Sequence, residues 1–338
     1  MDLAATVYAP PRAKSPWRVP ELYAPAAVRH YGYARHAFVE ALKIAGVAGG
    51  RVLLPAFVCR DLIAAVAAAG AEPAFYGVGP NLAPDEDPSR WPDARAVLAV
   101  DYFGWPQDLT PFEVYARRAG SFLIEDAAHA LFSRDATGRL LGTRAPLGLL
   151  SLRKSLALPN GGSLLANDPA TISKLPPQVS FESVPGRRPA LKAAARPFLG
   201  LFGARAANFA LGAVRSAKGE AAPDPDSERV LPTPAAPCPE LERALTCADP
   251  VVEVSRRRGL WALCDGLARK SGLEPVFSSL PDGVAPYAYA FRTRDFALGE
   301  SVFAVEGLRV LPWPDLPGAV AAAAPGHYRD AALVHFLW

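Results

Sequence analysis

A chain of 338 residues with 51% hydrophobic and 20% charged residues has the apolar mass for a sizeable core, and its length suggests two domains rather than disorder. The net charge of +3 is mild, and lysine and arginine are scattered with no basic run interleaved with aromatics, which argues against a nucleic-acid partner. Cys59, Cys238, Cys247 and Cys264 form no CxxC pair and have no histidine at metal-ligand spacing, so no metal site is expected.

The start of the chain lacks a basic segment followed by an apolar core, so it does not read as a signal peptide. No uncharged apolar run reaches about 18 residues, so no membrane span is expected. Reduced thiols in a cytoplasmic protein follow as the expectation. Thirty-five prolines and 27 glycines imply many loops and strand ends.

Residues 1–25 are rich in proline and aromatics without periodicity and read as an arm. Tyr31-Gly32-Tyr33 turns into a helical pattern in which Ala34, Ala37, Phe38, Ala41, Leu42 and Ala45 share one face. Gly46 and the Gly49-Gly50 pair end it. Strands are predicted at 51–55, 72–78 and 96–100, with helices at 61–69 and 109–119 between them. Apolar strands without strict alternation, separated by helices, predict a largely parallel sheet covered on both faces. Functional groups should then collect at the carboxyl ends of its strands, where Asp101, Asp126 and Lys154 fall.

The densest chemistry lies between residues 123 and 163. Asp126 closes the apolar run that begins at Ser121, and His129 follows three residues later. A second run, 147–150, delivers Ser151, Arg153 and Lys154 before Pro159-Asn160-Gly161-Gly162 breaks the chain. A carboxylate and an amine at two strand ends are what a pyridoxal phosphate site needs. The amine forms a Schiff base, and the carboxylate keeps the pyridine nitrogen protonated. A helix N-cap and a surface lysine would leave the same trace. No GxGxxG, GxxxxGK[ST] or GxSxG segment offers a nicotinamide site, a nucleotide loop or a serine nucleophile.

Beyond residue 168 the chain turns basic and alanine-rich, with Gly186-Arg187-Arg188 and predicted helices from Leu191 and near 206–214. Residues 219–240 read as a loop or linker. A helical pattern over 249–270 carries Arg256-Arg257-Arg258, read first as a solvated helix face. Alternation at 286–292, a helix near 296–305 and a strand at 308–311 predict a small α+β second domain.

In this order the segments resemble the DegT/DnrJ/EryC1/StrS group, the sugar aminotransferase branch of fold type I pyridoxal phosphate enzymes. The resemblance runs from Tyr31 to Gly162 through Y-A-R-H-A-F-V-E-A-L, L-L-P-A-F-V-C-R-D-L, V-L-A-V-D-Y-F-G-W-P, I-E-D-A-A-H-A and S-L-R-K-S-L-A-L-P-N-G-G. It resumes weakly at V-V-E-V-S-R-R-R-G-L and G-L-R-V-L-P-W-P. It implies an aspartate aminotransferase-like α/β large domain over 26–218 and a small α+β domain over 241–338. Lys154 falls on the Schiff-base lysine and Asp126 on the partner of the pyridinium nitrogen. His129 takes the place of a residue touching the cofactor's ring oxygen or face. Ala34 and Arg35 match the helix start whose amides receive the phosphate. Lys154 would also be the acid and base of catalysis.

Several positions depart from that pattern. Leu149 stands where many relatives have a serine that ligates phosphate; Ser151, three residues before the lysine, or another group would take over that role. Cys59 replaces the aromatic residue that stacks on the ring, with Phe57 two residues away. Asp101 stands where many relatives have histidine, and the G-x-N-x-R segment that crosses the dimer interface is not recognisable. The resemblance implies an aminotransferase using an amino-acid donor such as glutamate and a keto-sugar acceptor, as a cytoplasmic homodimer. A homologue that only binds cofactor or a partner, or a pyridoxal phosphate lyase, fits the same residues.

Overall fold

Seven strands form the larger sheet in the computed structural model, which describes residues 19–156, 158–184, 209 and 225–336. They are β1 (Ala27–Tyr31), β2 (Arg51–Pro55), β3 (Glu72–Tyr76), β4 (Ala96–Val100), β5 (Phe122–Asp126), β6 (Leu147–Leu150) and β7 (Gly162–Ala166). Their order is β1-β7-β6-β5-β4-β2-β3. From β3 to β6 every pairing is parallel, as the uninterrupted apolar runs predict. All residues of β4, β6 and β7 are buried. Only β7 runs against the rest, pairing antiparallel with both β6 and β1. That reversal brings Gly162 opposite Tyr31, at the entrance to the helix Ala34–Ile44.

Close backbone approach explains two glycines. A Cβ on Gly162 would stand 2.2 Å from Ala34 N, so the strand lies against the helix start only because that atom is missing. A Cβ on Gly148, inside β6, would stand 1.8 Å from Gly142 O, an oxygen that also accepts from Asn167 Nδ2 at 2.9 Å. Backbone fixed in this way cannot retreat. Gly148→Ala is therefore expected to destabilise the fold by about 1–3 kcal/mol in urea titration.

A second sheet, in the order β10-β11-β9-β8, is antiparallel throughout. Its strands are β8 (Glu274–Pro275), β9 (Ala288–Arg292), β10 (Val310–Pro312) and β11 (Ala331–His335). The helices Pro250–Lys270 and Phe296–Ala304 accompany it, giving the α+β arrangement predicted for this part of the chain. Trp313, directly after β10, reaches back to the large sheet. Its ring lies 5.1 Å from Phe57, 4.8 Å from Phe103 and 5.8 Å from His129.

One expectation is overturned here. Arg256 and Arg257 do not form a solvated face: they are 2% and 0% exposed and both bind Glu253, itself 0% exposed. Arginine can be buried where a carboxylate one helical turn away neutralises it, and Glu253 precedes the pair by three and four residues. Arg258 is half-buried and donates to the carbonyls of Pro281 and Val284. Arg256 and Arg257 therefore offer no cation to a substrate. The helices expected from Leu191 and near 206–214, the pair Arg187-Arg188 and the first 18 residues of the arm lie outside the described residues, apart from Phe209, which is helical. No helix among the described residues is long and apolar enough to cross a membrane.

Candidate active site

At the carboxyl ends of β4, β5 and β6 a pocket opens toward Trp313 and the start of the helix Ala34–Ile44. Seven of the residues singled out in the sequence line it: Ala34, Arg35, Cys59, Asp126, His129, Ser151 and Lys154. Chain direction explains the convergence, since parallel strands release their loops on one side of the sheet. Ser151 leaves β6, and a single 3-10 turn, Leu152–Lys154, then presents the lysine. Hydrogen bonds from Lys154 N to Ser151 O at 3.0 Å and from Arg153 N to Gly161 O at 3.1 Å fix that turn.

Asp126 is 8% exposed and its Oδ1 accepts from Ala128 N at 2.9 Å. Burial raises its carboxyl above the usual range, and Glu125 adds to this, while the Ala128 amide and Lys154 oppose it. The neighbouring Glu125 points to the opposite side, as strand alternation requires. There Arg144 donates to Glu125 Oε1 at 2.6 Å and to Asp101 Oδ1 at 2.6 Å. Asp101 is thus buried in an ion cluster beneath the site and does not line the pocket, against the expectation drawn from its strand-end position.

Lys154 Nζ lies 2.8 Å from His129 Nε2, so the histidine meets the amine directly. Burial lowers the lysine's pKa, opposed by Cys59, Asp126 and Asp61 and aided by Arg153. Burial also holds His129 well below its ordinary value, with the charges of Lys154 and His335 acting in the same direction. The imidazole stacks with Phe103, at 5.6 Å and 8°, and with Tyr287, at 4.4 Å and 5°. Phe103 takes φ 55°, a left-handed conformation unfavourable for a residue with a Cβ, at the turn that sets its ring against His129.

At the other end, Tyr33 precedes the helix without capping it through its side chain. The amides of His36 and Ala37 turn back to Tyr33 O, which leaves those of Ala34 and Arg35 at the helix start. Arg35 and Arg153 stand on the Tyr33 ring at 5.7 and 5.3 Å, and Arg35 pairs with Asp61 at 3.4 Å. Burial pushes the Cys59 thiol up to about 11, so it enters the pocket as a neutral thiol. Phe57 does not line the pocket; it is 1% exposed and packs on Tyr102, Trp313 and Tyr328. Tyr33, Tyr102, Asp61 and Trp313 are pocket residues that the sequence did not single out. The aromatic W-P after β10 was the one visible signal for Trp313.

The fold is that of fold type I aminotransferases. Over 94% of this chain and 82% of its own, aminotransferase TlmJ from Streptoalloteichus hindustanus superimposes with a TM-score of 0.61 at 21% identity. PseC of Helicobacter pylori, an aminotransferase of pseudoaminic acid biosynthesis, does so over 94% and 84% with a TM-score of 0.64 at 12% identity. Residues 32–183 match the model of the DegT/DnrJ/EryC1/StrS aminotransferase family. A curated relative, dTDP-4-dehydro-2,3,6-trideoxy-D-glucose 4-aminotransferase of Saccharopolyspora spinosa, is 35% identical over 36% of this chain and 33% of its own. L-glutamine:2-deoxy-scyllo-inosose aminotransferase of Streptomyces kanamyceticus is 30% identical over 40% and 33%. The chain thus spans about a third of the length of the curated relatives it matches.

Proposed function

We propose that the protein is a pyridoxal phosphate-dependent aminotransferase that moves an amino group from an amino acid to a keto-sugar. The observation that carries this reading is the placement of the Lys154 amine and the Asp126 carboxylate in the wall of one pocket at adjacent strand ends. The pocket's donors suit that cofactor. An amine and a buried carboxylate match its aldehyde and its ring nitrogen. The cradle that Gly162 keeps open at the Ala34 amide suits its phosphate.

When bound, pyridoxal phosphate supplies an electron sink for the substrate's α-carbon. Asp126 holds the proton on the ring nitrogen. The amides of Ala34 and Arg35 bind the phosphate, and Ser151, 4% exposed, adds a hydroxyl that Leu149 does not have. Ala128 and Cys59 line the wall of the same pocket. Lys154 would be the acid and base that moves a proton at the substrate's α-carbon. The keto-sugar acceptor and the use of an amino-acid donor are supported by the names of the relatives, and glutamate is the donor to try first. A cytoplasmic homodimer belongs to the same reading, and the four unpaired thiols agree with a reducing compartment.

The test is spectroscopic. Protein mixed with pyridoxal phosphate should turn yellow, and borohydride reduction should leave a label that mass spectrometry maps to Lys154. The Lys154→Ala protein should take no label. Addition of glutamate should bleach the colour of the unreduced enzyme. A protein that stays colourless, or carries its label elsewhere, overturns the proposal.

A further inference from the structure

The contact between His129 and Lys154 fixes more than the position of the lysine. Among the described residues His129 Nδ1 is buried without a hydrogen-bond partner, while Nε2 faces Lys154 Nζ at 2.8 Å. A neutral imidazole carries one proton, on one nitrogen or the other. If Lys154 were an ammonium it would donate to Nε2, and the imidazole proton would sit on Nδ1 as a buried N–H with no acceptor. Such orphaned donors are costly and rare. If Lys154 is a neutral amine, Nε2–H donates to the nitrogen lone pair and Nδ1 is left as a bare acceptor against aromatic neighbours.

We propose that, before any carbonyl compound arrives, His129 holds Lys154 as a neutral amine by donating Nε2–H to its lone pair. His129 is then a positioning residue. Its imidazole is packed against three rings: Phe103 and Tyr287 stack on it, and Trp313 abuts it edge-on at 63°. The groups facing the lysine are Cys59, Asp61, Asp126, Arg153 and His129, and those facing the histidine are Lys154, His335 and Tyr287. The Cys59 thiol is neutral at physiological pH, Arg153 opposes a second positive charge, and only Asp61 and Asp126 favour one. A neutral amine is the form that attacks a carbonyl carbon. The value of this arrangement for catalysis rests on the aminotransferase reading; the tautomer does not.

The test uses the full-length chain with no cofactor added, labelled with 15N in its five histidines. The His129 signals, assigned by their loss in His129→Gln, should show the proton on Nε2 at neutral pH. A proton on Nδ1 overturns the proposal. In parallel, trace acetylation with acetic anhydride followed by mass spectrometry gives the pH midpoint of Lys154, with the exposed Lys43 as internal reference. The Lys154 midpoint should lie below that of Lys43. It should stay there in His129→Gln, whose amide keeps an N–H donor. In His129→Leu it should rise, and acetylation at pH 7 should fall roughly three- to tenfold, the worth of one hydrogen bond. Should the leucine protein fail to fold, the tautomer and the glutamine variant still decide. A glutamine variant that loses reactivity while folded overturns the proposal. None of these readouts depends on pyridoxal phosphate, so a colourless protein with the expected tautomer would sink the functional reading and leave this one standing.

Discussion

Replacing Glu253 with alanine is expected to lower the free energy of unfolding by about 3–5 kcal/mol, the cost of leaving a buried charge without its partner. The carboxylate serves two guanidinium groups at once. Arg256 donates to its two oxygens at 2.8 and 2.7 Å, and Arg257 donates to Oε1 at 2.6 Å. Each arginine then reaches another part of the chain: Arg256 binds Phe336 O at 3.1 Å, and Arg257 binds Leu131 O at 3.3 Å. Removing Glu253 therefore takes from Arg256 and Arg257 the carboxylate they share and loosens the hold of the helix Pro250–Lys270 on the loop that follows His129.

Glu253→Gln should cost less, since an amide oxygen still accepts, and its penalty should depend on pH. Burial alone would push the Glu253 carboxyl up, but Arg256 and Arg257 outweigh it and hold the group below its ordinary value. A carboxyl whose pKa is lower folded than unfolded contributes stability above the unfolded value of about 4.3, and that contribution is lost as pH falls through the folded value. Urea midpoints of wild type and Glu253→Gln should accordingly be well separated at pH 7 and converge in acid. Separation that persists unchanged at pH 3 would show that packing, not charge, sets the difference.

The same cluster marks a limit of sequence reading. Charges on a helix usually mean solvent, and three successive arginines strengthen that inference. The signal against it was Glu253 at positions i−3 and i−4 from the pair, which a rule based on charge alone does not weigh. The parallel strands were legible for the opposite reason. A strand covered on both faces must be apolar throughout, and Ala96–Val100 has no residue to confuse the pattern. The reversal of β7 was not legible, because strand direction depends on partners and not on composition.

Within the site, the residues delivered by strand ends and by the helix start were readable, since topology sends them to one edge of the sheet. Trp313 was not, because it arrives from the second sheet and the contact spans two parts of the chain. Asp101 shows that a strand-end carboxylate is not always a functional one. Arg144, which binds it, lies in an irregular segment that carries no periodic signal.

Asp126→Asn should separate stability from function in opposite directions. In the cofactor-free protein the Asp126 carboxyl is raised by burial beyond what the Ala128 amide and Lys154 offset. An acid whose pKa is higher folded than unfolded costs stability once ionised. The cost begins as pH rises through the unfolded value of about 3.9 and is complete above the folded one. Asparagine removes it and can still accept from Ala128 N through its amide oxygen. The cofactor-free variant should therefore match the wild type near pH 3 and unfold at higher urea than the wild type at pH 7.

With cofactor and substrates present, the outcome should reverse. An amide cannot hold a proton on the ring nitrogen as a carboxylate does, so the charge that makes the ring an electron sink is lost. Turnover is expected to fall on the order of 10²–10³-fold, the usual effect of removing one preorganised electrostatic partner. Labelling of Lys154 by pyridoxal phosphate and borohydride should persist, since the amine is untouched. If the variant retains wild-type turnover, Asp126 does not pair with the ring, and the carboxylate's burial is a feature of the fold alone. If it is less stable than the wild type at pH 7, the carboxylate is held by more than the Ala128 amide and Lys154, and the assignment of burial as its dominant influence fails.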